Sequence, residues 1–177
     1  WATARLAAAC RLPSTRRRHY HWDVSPQEDI PPPGQADSPV FYCDAMLGGL
    51  ARWLRAAGYE ARFEYGIADR ELVRRAQEGG GILLSSDGPM FERTVIRTGQ
   101  VQALYIPQQM NNLQQLGFVM ARLGLALLAP RCMSCGGELL SLPKHEVMGE
   151  APPLAYRHCS DFYRCRSCGK LFWKGTH

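Results

Sequence analysis

A chain of 177 residues with 46% hydrophobic side chains has room for one ordinary domain and a small appended module, and its composition excludes a wholly disordered protein. Its formal charge of +5 is uneven: residues 1–22 carry five Arg and no acid, residues 23–130 nine basic against twelve acidic residues, and residues 131–177 seven basic against four acidic, so the two ends are where phosphate is expected to be met. No apolar run reaches 18 residues, which argues against a transmembrane helix and leaves no membrane partner to expect.

The first 39 residues stand apart. WATARLAAACRLPSTRRRHYHW is rich in Ala and Arg and has no acid before Asp23, the composition of an organellar transit peptide. VSPQEDIPPPGQADSP follows as a linker, its three prolines favouring extended geometry. Residues 1–39 are therefore expected to be a basic, Pro-rich arm or leader plus linker. A leader places the protein in a mitochondrion or another organelle; without one the expectation is cytoplasmic.

From residue 40 short apolar runs alternate with helical patterns. VFYC predicts a strand, and in DAMLGGLARWLRAAG the residues Leu47, Leu50, Leu54 and Ala57 fall on one helical stripe, with Arg52 and Arg55 off it and Gly58 as the stop. YEARFE alternates like an edge strand. ADRELVRRAQEGGG predicts a helix capped near Asp69, and GILLSSD a buried strand. GPMFERTVIRTG predicts a short third helix, VQALYIP a fourth strand, and QMNNLQQLGFVMARLGL a fourth helix with Leu113, Leu116, Met120 and Leu123 on one face. The order βαβαβαβα predicts a mostly parallel sheet with helices on both faces over residues 40–130.

In such a sheet Asp44 ends the first strand and Asp87 the third, at the carboxyl edge where open α/β folds place ligands. Asp69, with Glu71 close behind, opens the second helix on the same side. Three converging carboxylates repel one another unless a divalent cation lies between them, and oxygen-rich sites suit Mg2+ or Mn2+. Such an ion would activate water against a phosphoryl group. Asp44, Asp69 and Asp87 are thus the catalytic candidates; the alternative is that Asp44 and Asp69 each cap the helix that follows.

The C-terminal region carries two C-x2-C knuckles, CMSC at 132–135 and CRSC at 165–168, each followed by Gly. Cys132, Cys135, Cys165 and Cys168 at this spacing predict tetrahedral structural Zn2+, with the glycines permitting a tight turn. A redox pair would need only one knuckle, and no secretory segment supports disulfides. Cys159 is a substitute ligand, and His145 and His158 are weaker ones; Cys10 and Cys43 look unpaired, with Cys43 a small core residue. Residues 131–177 therefore predict a zinc ribbon.

Within it, DFYRCRSCGKLFWKGTH interleaves Phe162, Tyr163, Phe172 and Trp173 with Arg164, Arg166, Lys170 and Lys174. Aromatics beside cations suit single-stranded nucleic acid, although some of these rings must form the ribbon's own core. Arg52 and Arg55, off the apolar stripe of the first helix, join Arg164, Arg166, Lys170 and Lys174 as nucleic-acid-binding candidates.

FYCDAMLGGLARWLRAAGYEA, ADREL, GILLSSD, PRCMSCGGEL and DFYRCRSCGKLFWKGTH together resemble the RNase-like domain family named after the C-terminal region of the mut-seven exonuclease, over residues 40–177. That family resembles PIN-domain nucleases with a fused zinc ribbon. The resemblance implies a PIN-like domain over 40–130, metal-dependent hydrolysis of RNA, carboxylates of Asp44, Asp69 and Asp87 holding Mg2+ or Mn2+, and ribbon ligands at the four knuckle cysteines. Two places depart from the family pattern. Residues 65–68 are YGIA where relatives carry further acids, and SSDGPM puts Ser86 where relatives carry Arg. Two functions stay open: a metal-dependent endoribonuclease, or a non-catalytic RNA-binding subunit of a large ribonucleoprotein, such as an organellar ribosome, with protein partners.

Overall fold

A computed structural model describes residues 38–174. The expected leader, most of the linker and Cys10 lie outside the described residues, as does His177. Four parallel strands, β1 (Phe41–Cys43), β2 (Ala61–Phe63), β3 (Ile82–Ser85) and β4 (Ala103–Tyr105), form one sheet in the order β2-β1-β3-β4. The apolar runs are continuous because both faces are covered. Phe41, Cys43, Ile82 and Leu84 point to one face; Tyr42 and Leu83, one residue out of phase, point to the other.

The first face packs against α1 (Gly48–Ala56) and α4 (Asn112–Arg122), the second against α2 (Asp69–Glu78) and a 3-10 turn at Gly88–Glu92. Along α1 and its two flanking cap residues the predicted stripe of Leu47, Leu50, Leu54 and Ala57 is buried throughout. The two glycines that open the helix allow it to come close: a Cβ on Gly48 would strike the Phe63 ring, and one on Gly49 the Asn112 side chain. YEARFE lies at the sheet edge as β2, as expected.

Three expectations need correction. The helix after β1 begins at Gly48, not at Asp44, because Leu47 N–H donates to the Asp44 carbonyl (2.8 Å) and closes a turn first. The third helix is broken: Pro89 favours the 3-10 turn, Arg93 is extended (ψ 132°), and only Thr94–Arg97 (α3) is helical. In α4 the buried face is Gln115, Leu116, Val119 and Leu123, while Leu113 is exposed, since Asn111 caps the helix in a box with Gln114 that fixes its first turn outward.

A second sheet, β5 (Leu139–Leu142), β6 (Phe162–Cys165) and β7 (Leu171–Trp173), is antiparallel in chain order. Between β5 and β6 lie a 3-10 turn at Lys144–Val147 and a short helix α5 (Pro153–His158), which the periodicity did not foretell. They cover a small core of Val147, Ala151 and Phe162, flanked by Leu142, Tyr156, Cys159 and Leu171.

Candidate metal centre and acidic edge

The knuckles precede β5 and join β6 to β7, and they are built alike. Gly136 N–H donates to Cys132 O (2.7 Å) and Gly169 N–H to Cys165 O (3.0 Å); Cys132 N–H donates to Gly137 O (2.8 Å) and Cys165 N–H to Lys170 O (3.0 Å). Each turn needs a residue with positive φ, and Gly136 (81°) and Gly169 (71°) supply it. The sulfurs of Cys132, Cys135, Cys165 and Cys168 all lie within 4.8 Å of one another. Cys132 Sγ and Cys168 Sγ are 3.7 Å apart, Cys135 Sγ and Cys165 Sγ 3.4 Å. A tetrahedral ion with Zn–S of about 2.3 Å sets sulfurs about 3.8 Å apart, so the donor set fits zinc.

Backbone N–H groups already favour thiolate there. Burial opposes ionisation of Cys165, yet the N–H groups of Cys168 and Ser167 and the neighbouring thiols hold it down to about 6. Gly137 N–H also serves Cys135, but burial and the neighbouring thiols outweigh it and push that thiol up to about 12. A bound metal would deprotonate all four. Cys159 is not among the four; it packs in the small core. His145 and His158 are exposed and also outside the cluster. Cys43 is a core residue, its thiol raised to about 12 by burial.

The chain runs from β1 outward to β2 and then back across to β3, so the strand order reverses at β1. Crevices in open α/β sheets form at such a reversal, beyond the carboxyl ends of the strands. Asp44 follows β1 there and Asp87 follows β3. Asp44 is 6% exposed, and Ser85 Oγ donates to its Oδ2 at 2.6 Å. The same Ser85 Oγ accepts from Asp87 N–H (3.0 Å), so one buried hydroxyl ties both acids to the sheet edge. No cap role explains any of the three acids: α1 is preceded by Leu47, α2 by Ala68, and Asp87, which precedes the 3-10 turn, makes no side-chain cap bond.

Asp69 lies in the first turn of α2 and faces Arg93 Nη2 at 3.4 Å. Glu71 turns along the helix to Arg74 and Arg75, whose guanidiniums hold its carboxyl down to about 2. Among the described residues, Asp44, Asp69 and Asp87 do not form a three-ligand group like that of the cysteines. Ser86 is buried, and its carbonyl accepts from Gln108 Nε2 (3.1 Å).

The cationic candidates divide. Arg55 is 8% exposed, and its guanidinium donates to Ala61 O (2.8 Å), Met133 O (3.3 Å) and Ser134 O (2.8 Å). Expected as a nucleic-acid contact, the side chain is long enough to reach past β2, and here it clamps the two residues inside the first knuckle to the sheet edge. Arg164 is paired with Glu150 (2.7 Å), Arg166 with Glu138 (2.9 Å), and Lys170 Nζ donates to Ser134 Oγ (3.0 Å). Arg52 and Lys174 are exposed. Of the interleaved aromatics Phe162 is fully buried, Tyr163 and Phe172 sit side by side on the opposite face of the second sheet, and Trp173 is 39% exposed. Ser85 and the clamp role of Arg55 escaped sequence reading; the only sign of the first was SSD at the end of a buried strand.

No helix among the described residues is long and apolar enough to cross a membrane. No curated protein and no solved structure gave a significant match to the chain. Residues 39–177 match the family described as the Mut7-C RNAse domain. That span takes in both acids tied by Ser85, the clamp and all four cysteines, and it makes the protein nuclease-like and RNA-related: the chain belongs to the Mut7-C RNAse domain family.

Proposed function

We infer that the protein holds RNA on a nuclease-like scaffold without cutting it, with structural Zn2+ in the four-cysteine cluster. The observation that carries this reading is the dispersal of the acids: Asp69 faces Arg93, Asp44 is held by Ser85, and with Asp87 they make no three-ligand group among the described residues. Hydrolysis of a phosphodiester by a divalent ion needs carboxylates that share it. The departures from the resembled family pattern at residues 65–68 and Ser86 support the same reading. So do the exposed Arg52, Lys174 and Trp173, which leave cation and ring available to RNA. The Arg-rich, acid-free residues 1–22 favour an organellar ribonucleoprotein as the setting, a mitochondrial ribosome being one example.

One observation favours a second reading, a metal-dependent endoribonuclease. Asp44 and Asp87 are tied by one hydroxyl at the point where the strand order reverses. Mg2+ or Mn2+ bound there would supply Lewis-acid polarisation of a phosphoryl oxygen. Asp44 and Asp87 would hold it, and Ser85 would keep the Asp44 carboxylate turned to the edge. Incubation of single-stranded RNA with the wild type and with Asp44→Asn separates the two. The scaffold reading expects equal RNA affinity and no cleavage by either protein with Mg2+ or Mn2+. Cleavage that needs the metal and vanishes in a folded Asp44→Asn protein establishes the enzyme instead. Absence of RNA binding by the wild type rejects both. Co-sedimentation with ribosomal particles at high salt is expected of the organellar subunit, and a free protein at every salt concentration rejects that setting.

A further inference from the structure

A cleft of about 550 Å3 opens between the edge strand β2 and the first cysteine knuckle. Arg62 and Phe63 of β2 and Arg75 of α2 line one wall; Arg131, Gly136 and Ser167 line the other. Asp44, Asp69 and Asp87 do not line it, so this is a place apart from the acidic edge. Its volume lies within the range of about 300–1,000 Å3 typical of ligand sites, enough for roughly one or two extended nucleotides and too little for a duplex.

Four guanidiniums, of Arg55, Arg62, Arg75 and Arg131, meet two carboxylates, Glu60 and Glu64, in the lining. Arg55 is committed to the knuckle carbonyls. The others keep donors to spare. Arg62 gives Nε to Glu60 and Nη1 to the Tyr42 hydroxyl, Arg75 gives Nε to Glu71 and Nη1 to Glu64, and Arg131 gives only Nε to Gly136 O. Among the described residues, Nη2 of Arg62, Nη2 of Arg75 and both Nη atoms of Arg131 have no protein partner. A lone Arg on an edge strand is explained by protection against strand pairing. Three, brought to one cleft from β2, from α2 and from the segment before the first knuckle, are not.

Tyr65, 90% exposed, does not itself line the cleft but lies in the loop between Glu64 and Ile67, both of which do. A ring this exposed contributes nothing to the core, and a base can stack on it. The geometry points to this cleft as the seat of a short single-stranded RNA segment, with Arg62, Arg75 and Arg131 meeting phosphates and Tyr65 stacking on a base. The assignment rests on the RNA-associated reading above and moves the principal contact from the ribbon's outer cations to its junction with the sheet. An acidic peptide would use the charges but not the ring, and the combination favours RNA.

The test uses the full chain loaded with zinc and a fluorescein-labelled RNA 10-mer followed by anisotropy. Arg62→Gln/Arg75→Gln/Arg131→Gln is expected to bind at least ten-fold more weakly. Its plot of log affinity against log salt should be shallower by about 2, as three lost phosphate contacts on a single strand imply. Tyr65→Ala, a change at an exposed loop position that leaves folding and zinc content intact, is expected to weaken binding about five-fold or more. If the wild type binds RNA and neither variant differs from it, the cleft assignment is overturned while the RNA-associated reading stands. If the wild type binds no RNA, both fall. Poly-glutamate binding as tightly as the RNA, with the same loss in the triple variant, overturns the RNA assignment in favour of an acidic peptide.

Discussion

Arg55 joins two parts of the protein through a single side chain. Three carbonyls, two of them between Cys132 and Cys135, depend on its buried guanidinium. Replacing it by Met leaves those acceptors without their charged donor. Hydrogen bonds to charged groups contribute about 1.5–3 kcal/mol each and are not additive, so a loss of about 3 kcal/mol in urea unfolding is expected for Arg55→Met. Arg55→Lys should recover less than half, because an ammonium cannot span acceptors on two sides as the planar fork does; an unchanged midpoint in Arg55→Met would show the clamp to be idle. Glu71 sets a pH dependence of opposite origin. Its carboxyl is depressed to about 2 from an ordinary 4.5, so its contribution is present above about pH 4.5 and is lost as pH falls toward 2. Because the network is solvent-exposed the effect is small and screened by salt. The melting temperatures of wild type and Glu71→Gln should therefore differ at pH 6 and converge near pH 2, and a gap unchanged down to pH 2 would contradict this. Asp44 was legible because a charge directly after a buried strand is conspicuous. Arg55 was not, since periodicity places a Cα on a helix face but says nothing of where a long stem carries its head.

Elements were legible where their period was unbroken. The four parallel strands, α1, α2 and α4 followed from apolar spacing, and the knuckles from cysteine spacing alone. The third helix failed because Pro89 and an extended Arg93 divide it, and α5 went unseen because a six-residue helix shows too few turns to register a period. The knuckles allow a clean measurement of backbone strain. A Cβ on Gly169 meets nothing within 4 Å, and one on Gly136 would lie 3.6 Å from Arg55 Nε, an ordinary contact. Gly136→Ala and Gly169→Ala therefore test left-handed conformation without a clash. Each should cost about 1–2 kcal/mol, read as a roughly ten-fold loss in competition with a colorimetric zinc chelator. Since the two turns have matching hydrogen bonds, the two losses should be similar. A large loss at one glycine and none at the other would show that the cluster leans on one knuckle.

At the scale of the whole molecule, the parallel sheet with its two covered faces was readable from the alternation of elements. The relation among the acids was not. Whether Asp44, Asp69 and Asp87 meet depends on the loops beyond β1, β2 and β3, and no hydrophobic period governs those. The clamp between the sheets was hidden for the same reason, being made of Arg55 and of Arg131 N–H donating to Arg55 O (2.9 Å). The two sheets also differ in what holds them. Among the described residues the first has cores on both faces, one of sixteen buried residues and one of seven, whereas the second has three, Val147, Ala151 and Phe162. A core so small does not offset the entropy of ordering three strands, and a metal held by the four cysteines would contribute the difference. Chelation of zinc is therefore expected to remove hydrogen-exchange protection from β5 and β6 while β1 and β3 keep theirs. The first sheet should lose only the share of stability that passes through Arg55, so its melting temperature should fall to about that of zinc-loaded Arg55→Met. Loss of protection in β1 and β3 together with β5 and β6 would mean that the clamp makes the two sheets one cooperative unit, and that the division near residue 130 is one of sequence pattern and not of folding.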